Sequence, residues 1–174
     1  MEKLDKEKAL EYHVFQIMDI LGVELSPNNS ETPKRVSKMY VRELFANVCT
    51  PISELDKQMT MFPAPNQNIV VVKNIKFTSM CEHHWLPFTG YADIEYIPTK
   101  FVIGLSKIPR VVKFFSKKPQ VQERLTQEIG DYLVQVIKPK YLKVTLRDVR
   151  HSCVEIRGIE SECSTDTEFI FRSK

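Results

Sequence analysis

Apolar side chains at Leu10, Val14, Ile17 and Leu21 recur at i, i+4, i+7 and i+11, the spacing of one face of an amphipathic helix. They predict a helix over 5–21, which Gly22 can close as a left-handed residue. The run Ser26-Pro27-Asn28-Asn29-Ser30 is turn-forming. Thr32-Pro33 then has the form of an N-cap and first helical residue. Val36, Met39, Tyr40 and Leu44 carry that second helix to about Asn47. Residues 49–67 contain prolines and no clear period, so they are expected to be a connection.

From residue 68 the period changes to two. Ile69–Val72 and Ile75–Thr78 have strand character, and Gly90–Pro98 alternates with Ala92, Ile94 and Tyr96 on one face. A helix is expected from an N-cap at Ser106 to about Lys118, with Val111, Val112, Phe114 and Phe115 as its apolar side. Another is expected to start at Pro119, with Val121, Leu125, Ile129, Leu133 and Val136 at helical spacing. Residues 142–149 alternate again, Leu142, Val144, Leu146 and Asp148 against Lys143, Thr145, Arg147 and Val149. A last strand is expected near Glu168–Arg172. The pattern predicts an α+β fold: N-terminal helices over 1–48, a connection over 49–67, and a domain over 68–174 with a mostly antiparallel sheet. Such a four-stranded sheet has open edges, which favour subunit pairing into a ring or barrel.

Composition narrows the function classes. The 174 residues suffice for one domain with a core, or one domain with a helical appendage. The net charge of +3 gives no global reason to bind nucleic acid or an anionic membrane. No apolar run approaches membrane-spanning length. The segment MEKLDKEKALEYH is too charged for a signal peptide, so a cytoplasmic protein is expected. Disulfides are rare in that compartment. Cys49, Cys81, Cys153 and Cys163 are therefore read as metal ligands or buried thiols.

The candidate chemistry centres on Cys81-Glu82-His83-His84, at the end of one strand and before the next. Cys81 and His84 have the C-x2-H spacing that lets one loop wrap a single ion, and thiolate and imidazole are the usual zinc ligands. Cys153 would make three ligands and leave an open position, the mark of a catalytic site. Cys163 as a fourth would make a closed structural one. His83 and His151 suit proton transfer near neutral pH, or orientation of the ligands. In an extended segment His151 and Cys153 would face one side. Gln122-Glu123 lies on a helix, where a carboxylate can accept two parallel hydrogen bonds from a guanine-like edge, or be a solvated charge. Ser106, Lys107 and Arg110 surround a helix start, an anion-binding arrangement to which Arg35, Lys38 and Arg157 could add. The cluster Lys34, Arg35 and Lys38 sits at the wrong helix end for the dipole, which marks either a function or a solvated basic face. Only five glycines occur, without the P-loop or dinucleotide pattern. His13 is read as a solvated or packing residue.

Four ordered blocks carry a family resemblance: Cys81-Glu82-His83-His84-x-Leu86-Pro87-Phe88-x-Gly90, Gly104-Leu105-Ser106-Lys107-x-x-Arg110, Gln120-Val121-Gln122-Glu123-Arg124-Leu125-Thr126, and His151-x-Cys153-x-x-x-Arg157-Gly158. Together they resemble GTP cyclohydrolase I. Thr32-Pro33-x-Arg35-Val36-x-Lys38-Met39-Tyr40 is similar to the helix before that family's catalytic domain. The resemblance covers about residues 30–160 and weakens over the tail 161–174. It implies a tunnelling fold of order ββααββ, assembled into a toroidal homo-oligomer, typically a decamer of two pentamers, with active sites between subunits. It implies zinc held by Cys81, His84 and Cys153, proton transfer by His83 and His151, and a guanine reader in Glu123 with Gln122. Ser106, Lys107, Arg110 and Arg157 would hold the triphosphate, with Arg35 and Lys38 from a neighbouring subunit. The implied reaction opens the imidazole ring of GTP at C8 with zinc-activated water, releases formate, rearranges the ribose and recloses to 7,8-dihydroneopterin triphosphate. Folate, tetrahydrobiopterin and deazaguanine synthesis stay open as its destination. Another tunnelling-fold enzyme on a purine-like substrate, such as a nitrile reductase, and a non-catalytic zinc module are the alternatives. A nitrile reductase uses a nucleophilic Cys without the full Cys81/His84/Cys153 set.

Overall fold

Helix α1 spans Lys3–Ile20 and α2 spans Thr32–Met39 in the computed structural model, which describes residues 2–173. They belong to the first of two compact units, Met1–Ala46 and Asn47–Lys174. The α1 stripe is only partly used within the unit: Val14 is buried, while Ile17 and Leu21 are exposed. One helix pair gives such a stripe little to pack on. The Glu31 carbonyl accepts the first helical bond from the Arg35 N–H, so Glu31 rather than Thr32 is the cap of α2. Its carboxylate also pairs with Lys34 at 3.0 Å, offsetting one cation at that end. The expected long second helix instead widens into a π-helical turn, Tyr40–Leu44. Arg42, in that turn, grips the buried Glu7 of α1 through Nε at 2.7 Å and Nη2 at 2.8 Å.

The second unit contains, in chain order, α3 (Ser53–Asp56), β1 (Met61–Pro63), β2 (Val70–Cys81), β3 (Pro87–Ile97) and β4 (Phe101–Ile103). It continues with α4 (Lys107–Ser116), β5 (Pro119–Gln120), α5 (Gln122–Ile137), β6 (Tyr141–His151), α6 (Ser152–Glu155) and β7 (Ser164–Arg172). The main sheet has the order β5-β2-β3-β6-β7. Its long strands pair antiparallel, from Val70↔Tyr96 to Met80↔Pro87 and from Phe88↔His151 to Ile97↔Tyr141. The long elements follow the expected order ββααββ. The stretch 49–67 is more than a connection. Leu55 of α3 is buried in the core, Tyr132 donates to Asp56 at 2.9 Å, and β1 pairs antiparallel with β4.

Pro119 does not start a helix. Pro119 and Gln120 run parallel to the end of β2, opposite Met80 and Cys81. Gln120 explains this. Its buried amide donates to Phe115 O at 3.1 Å and Glu128 at 2.7 Å, and accepts from Arg124 at 2.9 Å. These bonds hold the segment extended, and α5 begins two residues later. The helix start at Lys107 agrees with a boundary at Ser106, but Ser106 makes no side-chain cap bond.

Bulges in β2 and β6 change which residues face inward. Asn74 and Asp148 adopt left-handed backbones, with φ of 61° and 53°. Asp148 is therefore exposed and Val149 is buried, the reverse of strict alternation. Arg147 links the two bulges, bonding Asn74, Asp93 at 2.8 Å and Asp148 at 2.6 Å. On the core face, Ala92, Ile94, Tyr96, Leu142, Val144 and Leu146 pack with Ile108, Val111, Leu125, Ile129 and Leu133. This apolar layer fixes α4 and α5 and hence the ends of β2 and β6.

Candidate active site

Cys81 is the last residue of β2, and a tight turn follows it. Cys81 O accepts from the Trp85 N–H at 2.8 Å, and the Cys81 N–H donates to Leu86 O at 2.8 Å. Trp85 has a left-handed backbone, φ 54°, which reverses the chain into β3. The turn brings His83 Nδ1 to 3.7 Å and His84 Nδ1 to 3.8 Å from Cys81 Sγ. The Glu82 N–H donates to Gln120 O at 3.0 Å, which ties the turn to β5.

Cys153 arrives from the far end of β6. His151 closes that strand opposite Phe88, and the chain then coils into α6. The expectation of an extended 151–153 is corrected here: Cys153 reaches the site from a helical turn. The ligand atoms of Cys81, His84 and Cys153 all lie within 4.8 Å of one another, a group compatible with a metal ion. Cys163 is exposed and lies outside that group. Burial pushes the Cys153 thiol up, with the Cys81 thiol beside it adding to the rise and the Arg157 cation opposing it. Arg157 Nη1 also lies 3.3 Å from His84 Nε2.

His151 stacks flat on Phe88, with centroids 4.8 Å apart and an interplanar angle of 13°. Burial lowers its pKa, while the charges of Glu123 and Glu155 act in the opposite sense. Glu123 is exposed on the first turn of α5. Gln122 is only 2% exposed, and its side chain bonds His151 and β7. Its amide nitrogen faces Thr165 O and Thr167 Oγ1, and its amide oxygen faces His151 Nε2.

The remaining expected residues are spread over several elements. Ser106 and Lys107 begin α4, where the Lys107 N–H donates to Gly104 O at 2.8 Å. Arg110 bonds Gln58 at 3.1 Å. Arg35 and Lys38 lie on α2 of the first unit. Three contributors carried no local signal. Arg124 binds the Glu82 carboxylate inside the ligand turn. Phe88 and Thr167 contact His151 and Gln122, respectively. Each acts across many residues of chain, so no spacing rule reveals it.

The architecture defines an α+β domain with a thiol–imidazole–thiol group, flanked by two further histidines at strand ends. The chain matches the family model for GTP cyclohydrolase I over residues 10–173, and it belongs to that family. The match extends into the tail, to residue 173, beyond the blocks that carry the sequence resemblance. GTP cyclohydrolase 1 of Serratia proteamaculans is 40% identical over 174 residues, covering 95% of this chain and 76% of that protein. GTP cyclohydrolase 1 of Streptococcus mutans is 39% identical over 173 residues, covering 97% and 87%. Among solved structures, an archaeosine synthase QueF-Like in the apo form is similar with TM-score 0.47 and 20% identity, covering 60% of this chain and 94% of that chain. A dihydroneopterin aldolase from Burkholderia thailendensis bound to guanine follows with TM-score 0.42 and 10% identity, covering 63% and 93%.

Proposed function

We propose that the protein is a zinc-dependent hydrolase that converts GTP to 7,8-dihydroneopterin triphosphate and formate. Membership of the family supports GTP cyclohydrolase activity, with GTP as substrate. The observation that carries the zinc reading is the convergence of Cys81, His84 and Cys153 from two distant segments. Around a tetrahedral zinc, bonds of about 2.0 Å to nitrogen and about 2.3 Å to sulfur put a nitrogen and a sulfur roughly 3.5 Å apart and two sulfurs roughly 3.8 Å apart. Cys81 Sγ and His84 Nδ1 lie 3.8 Å apart, slightly wider than that spacing, and the three ligand atoms lie within 4.8 Å of one another. Three ligands leave a coordination position open.

Zinc, when bound, supplies a Lewis acid and a water acidic enough to ionise near neutral pH. The protein residues do the rest. His83 and His151 accept and return protons as the purine imidazole ring is opened, C8 leaves as formate, and a new six-membered ring closes with carbons of the rearranged ribose. Glu123 accepts the N–H and NH2 protons of the guanine edge. Ser106, Lys107, Arg110 and Arg157 hold the triphosphate, with Arg35 and Lys38 contributed by a neighbouring subunit. Binding energy from that remote triphosphate orients C8. The assembly is a ring-shaped homo-oligomer, a decamer of two pentamers, with sites between subunits. The compartment is the cytoplasm, in keeping with four cysteines of which none is paired in a disulfide. Among the described residues, no helix is long and apolar enough to cross a membrane.

The test is incubation of zinc-loaded protein with GTP, followed by assay of formate and of fluorescent neopterin after oxidation. Both products are expected. Their absence from folded, zinc-loaded protein contradicts the proposal.

A further inference from the structure

Gln122 is buried at the junction of α5, β6 and β7, and its hydrogen bonds place every proton around it. Its amide lies 3.1 Å from Thr165 O, 3.1 Å from Thr167 Oγ1 and 2.9 Å from His151 Nε2. A backbone carbonyl only accepts, so the amide nitrogen must face Thr165. A flipped amide would set two oxygens against each other. Thr167 gives the same answer independently. Thr126 spends its single hydroxyl proton on Gln122 O, at 2.8 Å. The 2.6 Å contact between Thr126 and Thr167 must then use the Thr167 proton. Thr167 Oγ1 is left to accept from Gln122 Nε2. Both anchors turn the Gln122 oxygen toward His151.

An amide oxygen accepts and cannot donate, so His151 Nε2 must carry a proton. The ring lies flat on Phe88. We propose that Gln122 is a positioning residue that fixes the His151 ring as its Nε2–H form, with Nδ1 left as the hydrogen-bond acceptor. The proposal rests on the role of His151 given above. Through Thr165 and Thr167 it also gives β7 a part in ordering the site. A second-layer partner of this kind sets which imidazole nitrogen is basic.

The experiment is magic-angle-spinning 15N NMR of histidine-labelled, zinc-loaded protein, with the His151 signals assigned by their loss in His151→Ala. Neutral His151 should be protonated at Nε2 in the wild type. An Nδ1–H form there overturns the proposal, whether or not GTP is turned over. Gln122→Met, similar in size but without the acceptor, should give a mixture of tautomers. It should lower kcat about 10–100-fold, with KM for GTP within about twofold and zinc content unchanged. An unchanged tautomer and kcat in the folded variant also overturn it, and so does a loss confined to KM, which would make Gln122 a substrate contact. Thr167→Val, which removes one of the two anchors, should lower kcat by less than Gln122→Met. An equal or larger loss counts against the argument. Failure of wild-type turnover with an Nε2–H His151 would instead count against the proposed reaction alone.

Discussion

Arg124, on the first turn of α5, holds the carboxylate of Glu82, the residue between Cys81 and His83. The guanidinium is itself oriented by Gln120 Oε1 at 2.9 Å and Pro119 O at 3.3 Å. Its contact holds the Glu82 carboxyl below the ordinary carboxylate range, against an opposing effect of burial. Glu82 is thus a tether for the ligand turn. Replacing Arg124 should loosen His84 relative to Cys153 without removing a ligand.

Arg124→Met is therefore expected to weaken zinc binding about 10–100-fold, the usual effect of losing a residue that orients ligands. Stoichiometry at saturating metal should not change. Competition with a chromophoric chelator measures the affinity. A value equal to that of wild type would show that the turn holds itself.

The Arg147 bridge between bulges makes a pH-dependent contribution to stability. Burial acts to raise the Asp93 carboxyl, but the bonds from Arg147 and the Asn74 N–H outweigh it and hold it below its ordinary value. A carboxyl depressed in the folded state stabilises above its unfolded pKa, about 3.9, and loses that contribution as pH falls through the folded value. The gap in melting temperature between wild type and Asp93→Asn should be constant near neutrality and shrink only below about pH 4. Thermal unfolding across a pH series tests this. A gap that persists undiminished in strong acid would remove Asp93 ionisation from the account.

Gly130 of α5 lies against Phe169 of β7. A Cβ there would lie 2.3–2.6 Å from atoms of the Phe169 ring. Alanine gains about 1 kcal/mol over glycine in a helix, but overpacking costs about 1–3 kcal/mol. Gly130→Ala should therefore lose up to roughly 2 kcal/mol, and Phe169→Leu should recover part of it. Urea denaturation of the single and double variants measures both effects. A stabilised Gly130→Ala would mean that Phe169 yields freely.

The parts legible in sequence are those set by short-range periodicity. Ala92, Ile94 and Tyr96 alternate because one face of β3 is buried, and the stripe from Leu125 to Leu133 repeats because one face of α5 is. Cys81 and His84 were legible as a pair because one turn spans them. Cys153 could be joined to them only as a further thiol near a histidine, or through the family resemblance. What was not legible depends on long-range partners. Pro119 is extended because Gln120 is held by Phe115 and Glu128. Asp148 leaves its expected face because Arg147 and Asp166 stabilise a bulge. Gln122 turns inward to His151 and Thr165, 29 and 43 residues away. Glu82 finds Arg124 across 42 residues.

An open three-ligand metal site is central to the proposed chemistry, and metal analysis of cysteine and histidine variants tests it most directly. Purified wild type should hold one zinc per chain, and cobalt substitution should give the absorption of a tetrahedral site with two thiolates. Cys81→Ala, His84→Ala and Cys153→Ala should each lose the metal, while Cys163→Ser should retain both metal and spectrum. Zinc kept by Cys153→Ala, or lost from Cys163→Ser, would contradict the site.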